Sequence, residues 1–174
     1  MRYLSRHLQA TVQDLVERHL AALGWLDPAD APFGALPVIV QRARPSESQL
    51  QAIEPNLVAV SFGEQGDETD AELGAGVTSS DHVLFVDVLA ESGGVGLALA
   101  EDVRDLLTGR ASYDGRTASR YFRVEDQRTA PPTPVDGLLA EWAEVFREPA
   151  ERQLPGTDWQ VLRASIVLDT TAGA

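Results

Sequence analysis

The turn Gly93-Gly94-Val95-Gly96 is the feature best placed for chemistry, because it follows an apolar segment and opens an amphipathic one. Free backbone N–H groups and the helix dipole at such a turn can hold a phosphate. A dinucleotide fingerprint starting at Gly94 needs a third glycine where Leu99 stands, and a Walker motif needs a lysine, which the chain lacks. The turn is interpreted as a flexible strand-to-helix connection, with a small-ligand site as the alternative.

The histidines and serines form no known catalytic or metal-binding pattern. The three imidazoles, His7, His19 and His82, show no H-E-x-x-H spacing. No G-x-S-x-G elbow accompanies Ser80-Asp81-His82, and adjacency in sequence does not make a triad. We therefore predict no catalytic residue, no metal ligand, no cofactor and no enzymatic activity.

Asp87 stands out because it lies inside the most apolar segment of the chain. A buried carboxylate needs a partner, or its pKa rises. The expected partner is an arginine such as Arg104, and a catalytic acid is the alternative. The tryptophans do not interleave with basic residues, so we interpret them as core or interface anchors: Trp25, Trp142 and Trp159.

Charge and composition exclude several classes of protein. The chain has 27 acidic and 14 basic residues and a formal net charge of −13, a field that repels nucleic acid and anionic membranes. Cysteine is absent, which excludes disulfides and thiolate metal sites. No apolar run approaches the roughly 20 residues of a membrane span, and residues 1–24 lack the apolar region of a signal peptide. We expect a soluble, unexported chain.

The acidic charge is densest in the segment 63–76, which has no apolar periodicity. Five carboxylates repel one another there, so we expect a projecting, mobile loop: Glu64, Asp67, Glu68, Asp70 and Glu72. A solvated loop is the simpler interpretation. A cation bridging neighbouring subunits through these oxygens is the alternative.

The hydrophobic pattern predicts two main helices and several strands. One helix spans 3–23, and a second begins after Ser92 and ends at Gly109. Short apolar or alternating runs predict strands, with 83–89 central in the sheet: 37–40, 57–62, 83–89, 121–125 and 159–169. The segment 138–146 fits a helix and a strand equally.

At 174 residues the chain is expected to form a single domain, 1–174. Polar or proline-rich composition predicts connections over 44–56 and 127–137, and a tail over 170–174. The fold class is α/β (α+β): a mixed, mostly antiparallel sheet flanked by two main helices, with one crossover at the second helix.

Several segments, in this order and spacing, resemble the tail-terminator (tail-completion) proteins of long, flexible-tailed bacteriophages, particularly those of actinobacteria. The resemblance spans most of 1–169, each motif being only weakly specific, and 131–155 has no counterpart in it. The segments are Tyr3-Leu4-Ser5-Arg6-His7, Leu23-Gly24-Trp25, Ala31-Pro32-Phe33-Gly34, Pro37-Val38, Pro55-Asn56-Leu57-Val58-Ala59-Val60 with the acidic 63–76, Phe85-Val86-Asp87-Val88, Ala98-Leu99-Ala100-Glu101-Asp102-Val103, Leu106-Leu107 and Trp159-Gln160-Val161-Leu162.

The resemblance implies a virion protein with a mixed sheet and flanking helices. Such proteins close a homohexameric ring on the head-proximal end of the tail tube, stop tube polymerisation and present a surface to the neck proteins. The expected partners are other copies of the chain, the tube protein and the neck or head-completion proteins, while DNA only passes through the lumen. The acidic carboxylates would line the lumen or a subunit contact, facing neighbouring arginines: Arg110, Arg116, Arg120 and Arg123.

Three other functions stay open. Another neck or head-completion protein of the same virion has a similar design and charge. A small-ligand protein would use the glycine turn at 93–96, and nucleotide binding would support it. A host adaptor unrelated to virions is the last alternative.

Overall fold

A computed structural model describes residues 4–51, 56–62, 70–72, 77–109, 112–113, 116–117, 121–150 and 156–171. Within these residues the chain folds as a single α+β domain built on one mixed, mostly antiparallel sheet. The predicted fold class is therefore confirmed.

Two long helices and one short helix accompany the sheet. They are α1 (Leu4–Ala22), α2 (Glu47–Gln51) and α3 (Gly93–Leu107), and a 3-10 turn covers Pro32–Gly34. Helix α3 begins as predicted, because the Ser92 hydroxyl accepts a hydrogen bond from the Val95 N–H at 3.4 Å. It ends at Thr108, and Gly109 follows with a φ of 71°, a conformation that favours glycine.

The strands are numbered in chain order, and seven of them form the main sheet. They are β1 (Val38–Gln41), β2 (Asn56–Phe62), β3 (Asp70–Glu72), β4 (Val77–Ala90), β5 (Ser112–Tyr113), β6 (Arg116–Thr117), β7 (Tyr121–Asp126), β8 (Thr133–Glu148) and β9 (Asp158–Thr171). The order across the sheet is β1-β2-β4-β9-β8-β7, with β3 paired to the start of β4, while β5 and β6 form a separate hairpin. As predicted, β4 is central.

The core lies between this sheet and the two long helices. Helix α1 contributes a stripe of four buried residues at four-residue spacing, Leu8, Val12, Val16 and Leu20. On the sheet, every second residue of β4 and of β9 packs against the helices. They are Leu84, Val86 and Val88 on β4, and Leu162, Ala164, Ile166 and Leu168 on β9.

Helix α1 also caps the backbone near both edges of the sheet. Near the β1 edge, the Gln9 amide donates to the Val60 carbonyl of β2 at 2.8 Å, and Gln13 donates to the Val40 carbonyl at 3.5 Å. At the β7 edge, the Glu125 N–H donates to the Thr11 hydroxyl, which donates to the Glu125 carbonyl. Unpaired backbone groups on edge strands invite pairing with other chains. This helix therefore blocks part of both edges.

Three predicted boundaries need correction. The 44–56 connection contains α2, and the strand β8 begins at Thr133, inside the predicted proline-rich connection. The strand β9 runs through Thr171 into the predicted tail. Residues 138–146, whose pattern fits a helix and a strand equally, are strand. The parallel pair is β1 with β2, so the crossover contains α2 and not the second main helix.

Candidate interaction surfaces

The face of the sheet turned away from α1 and α3, here called the outer face, is formed by the remaining alternate residues of the same strands. Asp87 of β4 lies directly opposite Ala59 of β2 and Val161 of β9, and Phe85 lies opposite Arg163. Among the described residues no long helix packs on this face. Side chains from loops and neighbouring strands are therefore what shields its apolar groups.

Asp87 is fully buried on the outer face, and Arg44 and Trp159 are among the groups that hold it. Arg44, in the connection after β1, places its Nε 3.2 Å from Oδ2, and the Trp159 indole N–H donates to Oδ1 at 3.1 Å. The Arg44 guanidinium also lies 5.4 Å from the centre of the Phe85 ring. A buried carboxylate that is paired and hydrogen-bonded is stable as a charge.

This arrangement corrects the predicted partner of Asp87. Arg104 lies on α3, across the sheet from the Asp87 side chain, because Val86 and Val88 are the residues of this stretch that face the helices. The predicted role of Trp159 as a packing anchor holds in part, since its indole also serves as a hydrogen-bond donor. Trp25 and Trp142 are buried in the core as predicted.

The outer face also exposes large apolar side chains on β7 and β8. Phe146 of β8 is 49% exposed, Leu139 is 43% exposed, and Tyr121 of β7 is 53% exposed. Register places Phe146 opposite Arg163 near one end of β8, and Leu139 opposite both Arg123 and Asp169 near the other end. Exposed apolar side chains that share one face and are surrounded by charge can serve as protein contacts.

The glycine turn is explained by packing. A side chain at Gly96 would collide with the Asp158 carboxylate, whereas Gly93 and Gly94 face open space. Asp158, at the start of β9, therefore lies against the first turn of α3 and accepts hydrogen bonds from Gln160. An acidic side chain at a helix N-terminus is favourable, and it occupies the region where a phosphate would bind.

The histidines lie in three separate places. His19 is buried, with Nε2 2.7 Å from the Asp102 carbonyl, and His82 is buried in β4. His7 lies near Asp126, with Nδ1 4.0 Å from Oδ1. Within the part of the chain that the structure describes, no three histidine or acidic side chains cluster as metal ligands do.

Five of the nine predicted subunit-contact residues lie outside the described part of the chain: Glu64, Asp67, Glu68, Arg110 and Arg120. Asp70 and Glu72 belong to β3, so this part of the predicted loop is a strand paired with Thr78–Ser80 of β4. Arg116 is on β6, and Arg123 is an exposed residue of β7 on the outer face. Their predicted contact with a neighbouring subunit stays a prediction.

A second surface, here called the basic pocket, was not predicted. It is a cavity of about 370 Å³ between α1, the end of β1 and the turn from β7 to β8. Its lining is basic in a strongly acidic chain, and consists of Arg6, His7, Ala10, Arg42, Gln127 and Arg128.

Hydrogen bonds hold two of the pocket arginines in place. Arg42 donates through Nε to the Gln13 side chain at 2.5 Å. Arg128 donates two hydrogen bonds to the Asp126 carboxylate, at 2.8 and 2.7 Å. The side-chain hydrogen bonds and the backbone N–H of Arg128 hold the pKa of Asp126 far below its ordinary value.

No motif could have revealed this pocket. Its arginines lie at positions 6, 42 and 128, and only the pairing of the strands brings them together. One early signal is the position of Arg42, which lies two residues after an apolar run and is therefore expected near the end of a strand.

The chain is similar in fold to solved structures. A chain described as "Virion of native gene transfer agent (GTA) particle" aligns with 98% of this chain and 97% of its own length, at 17% identity and a TM-score of 0.46. No protein-family model and no curated protein matches the sequence. A match at this identity and TM-score assigns no function to this chain.

Among the described residues, none of the helices combines the length with the apolar composition that a membrane span requires. The longest, α1, spans 19 residues and carries charged side chains along its solvent face, among them Glu17 and Arg18.

Proposed function

We propose that this chain is a structural, non-enzymatic subunit of a bacteriophage tail. In this role it forms a ring that ends the tail tube at its head-proximal side and provides the surface for head attachment. This proposal comes from the sequence resemblance over most of 1–169. The geometry of the two sheet faces and of the sheet edges is compatible with it.

The observation that carries the proposal is the outer face. It exposes Tyr121, Leu139 and Phe146 on one side of a sheet whose two edges are partly capped by α1. A subunit of this kind is suited to contact its neighbours through a face. In a closed ring one patch meets a different patch on the next copy, and closure prevents a filament.

The net charge of −13 fits the proposed position in the virion. A ring of acidic subunits around the lumen repels the DNA that passes through it, so the genome is not retained. The partners in this proposal are other copies of the chain, the tube protein and the neck proteins.

A stop codon early in this gene, in the phage that encodes it, tests the proposal by electron microscopy of lysates. We expect overlong tubes beside DNA-filled heads without tails. Tubes of normal length that fail to join heads would instead make the chain a neck adaptor. That second function is the alternative, because an exposed apolar face serves either position.

The outer face itself is tested by adding one negative charge to it. Leu139→Glu and Phe146→Glu each should abolish ring formation while the thermal unfolding of the free chain changes little. Ala21→Glu, on the exposed end of α1, adds the same charge away from the outer face and is the matched control. Normal assembly of both outer-face variants would contradict the proposed contact.

A further inference from the structure

The basic pocket concentrates positive charge that the rest of the fold does not use. Of its three arginines, Arg128 is neutralised by Asp126. Arg6 and Arg42 have no carboxylate within ion-pair distance among the described residues. Arg42 is fixed by Gln13, so its guanidinium is held at the cavity before any ligand arrives.

The chemistry of the lining selects the class of ligand. A guanidinium offers a planar fork of donors that matches a carboxylate or phosphate with two parallel hydrogen bonds. Arginine residues from three separate elements line a single cavity of about 370 Å³, a size suited to one or two acidic side chains. A nucleic-acid backbone is instead followed by a groove of cations along its length, and the net charge of −13 repels it.

We propose that the basic pocket binds a carboxylate-bearing segment of a second copy of this chain. The chain supplies such a segment in abundance, with 27 acidic against 14 basic residues. Its densest acidic run lies between Glu64 and Glu72, and we take that run as the ligand. The proposal rests on the proposed ring only in that a ring brings the second copy into reach.

Direct binding is the first test. A fluorescein-labelled peptide with the sequence of residues 61–73 is titrated with the full-length chain, and anisotropy is followed. The receptor carries Glu64→Lys, Asp67→Lys and Glu68→Lys, so that its own acidic segment cannot compete. We expect binding that weakens by about 10-fold to 100-fold when Arg6→Glu is added, because one charge-assisted contact is lost and repulsion replaces it.

The choice of Arg6 keeps this test interpretable. Arg6 is exposed and makes no hydrogen bond or ion pair with the described residues, so Arg6→Glu should fold normally. Arg147→Glu, on β8 away from the pocket, is the matched control and should bind the peptide like its parent. Equal binding by the Arg6→Glu chain would overturn the proposal. So would binding of inorganic phosphate or a DNA oligonucleotide in place of the peptide.

A charge-swap experiment distinguishes a second copy from the same chain. One variant reverses the pocket (Arg6→Glu with Arg42→Glu), and the other reverses the segment (Glu64→Lys, Asp67→Lys and Glu68→Lys). Each variant alone should fail to associate, as measured by sedimentation velocity. If the free chain is monomeric, association is measured instead on the ends of tail tubes. A mixture of the two should associate, because each pocket then meets a segment of opposite charge. Rescue only when both sets share one chain would place the contact within the chain and overturn the proposal.

The outcomes for this pocket and for the proposed function are separable. If the stop-codon phage makes normal tails while the peptide binds as expected, the tail role fails and the pocket stands. If that phage makes overlong tubes while Arg6→Glu neither weakens peptide binding nor alters tail length, the pocket fails and the tail role stands.

Discussion

The two faces of the central sheet are formed by the same strands but have different chemistry. Toward the helices, β4 presents Leu84, Val86 and Val88, all fully buried among apolar neighbours. Toward the outside, the same strand presents Phe85 and Asp87, whose surroundings include an arginine and an indole. One face therefore forms the core, while the other combines limited shielding with exposed apolar groups. Substitutions that differ only in face should therefore separate stability from assembly.

The largest expected effect is on the helix-covered face. Leu162→Ala removes a fully packed side chain and should lower the free energy of unfolding by about 2–5 kcal/mol. Leu139→Ala, the same change on the outer face, should cost less than about 1 kcal/mol because the leucine is 43% exposed. Urea unfolding of the two variants measures both values. Equal losses would mean that the outer face is covered within the folded chain.

The second effect tests how the outer face tolerates a buried charge. Arg44→Ala removes the guanidinium from beside the buried Asp87 carboxylate, which should cost about 1–3 kcal/mol. Adding Asp87→Asn should recover part of that loss, since the uncompensated charge is then gone. The unfolding free energies of the two single variants and the double variant form the required cycle. Simple additivity would show that Arg44 acts only by covering Phe85.

The third effect concerns the contact between α3 and β9. Gly96→Ala places a methyl group against the Asp158 carboxylate and should cost about 1–3 kcal/mol. The matched change Gly94→Ala meets open space and should stabilise the helix by up to about 1 kcal/mol. Thermal unfolding compares the two. A stable Gly96→Ala chain would show that Asp158 moves away easily, and the first turn of α3 would again be open to an anion.

The smallest effect is on a pKa at the border of the basic pocket. Arg128 lowers the pKa of Asp126, so the stabilisation from this carboxylate is complete above the ordinary aspartate pKa. It is lost only when the pH falls toward the lowered value. In Arg128→Ala the pKa should return toward 3.8, as followed by carboxyl carbon NMR. Arg147→Ala is the control. An unchanged Asp126 pKa in the Arg128 variant would show that other groups hold the charge.

The sequence predicted the elements whose pattern is set by burial alone. The strand β4 contains the long apolar run 83–89, and α1 has one clean stripe, so both were predicted correctly. The strand β8 was ambiguous for a physical reason. A bulge between Trp142 and Glu144 shifts the alternation, so Trp142 and Val145 both pack toward the core three positions apart, which resembles a helical stripe.

What sequence reasoning could not supply was long-range geometry. The strand β3 consists of Asp70-Ala71-Glu72, residues with low strand propensity, and forms because β4 extends far enough to pair with it. Arg44 lies in a connection that the sequence did not distinguish. Only the folded structure shows that it pairs with Asp87 of β4. The basic pocket combines three arginines from the beginning, the first third and the last third of the chain.

The capping of β7 by α1 has a consequence for how the chain folds during synthesis. The Thr11 hydroxyl meets the Glu125 backbone across 114 positions, so α1 is synthesised long before the strand with which it makes this contact. Contacts of such separation slow folding, because loop closure must precede the interaction. Strand β4 meanwhile has one side open, because its neighbour β9 is the last strand of the described sheet to be made. The period of greatest risk for aggregation therefore lasts until β9 has been synthesised.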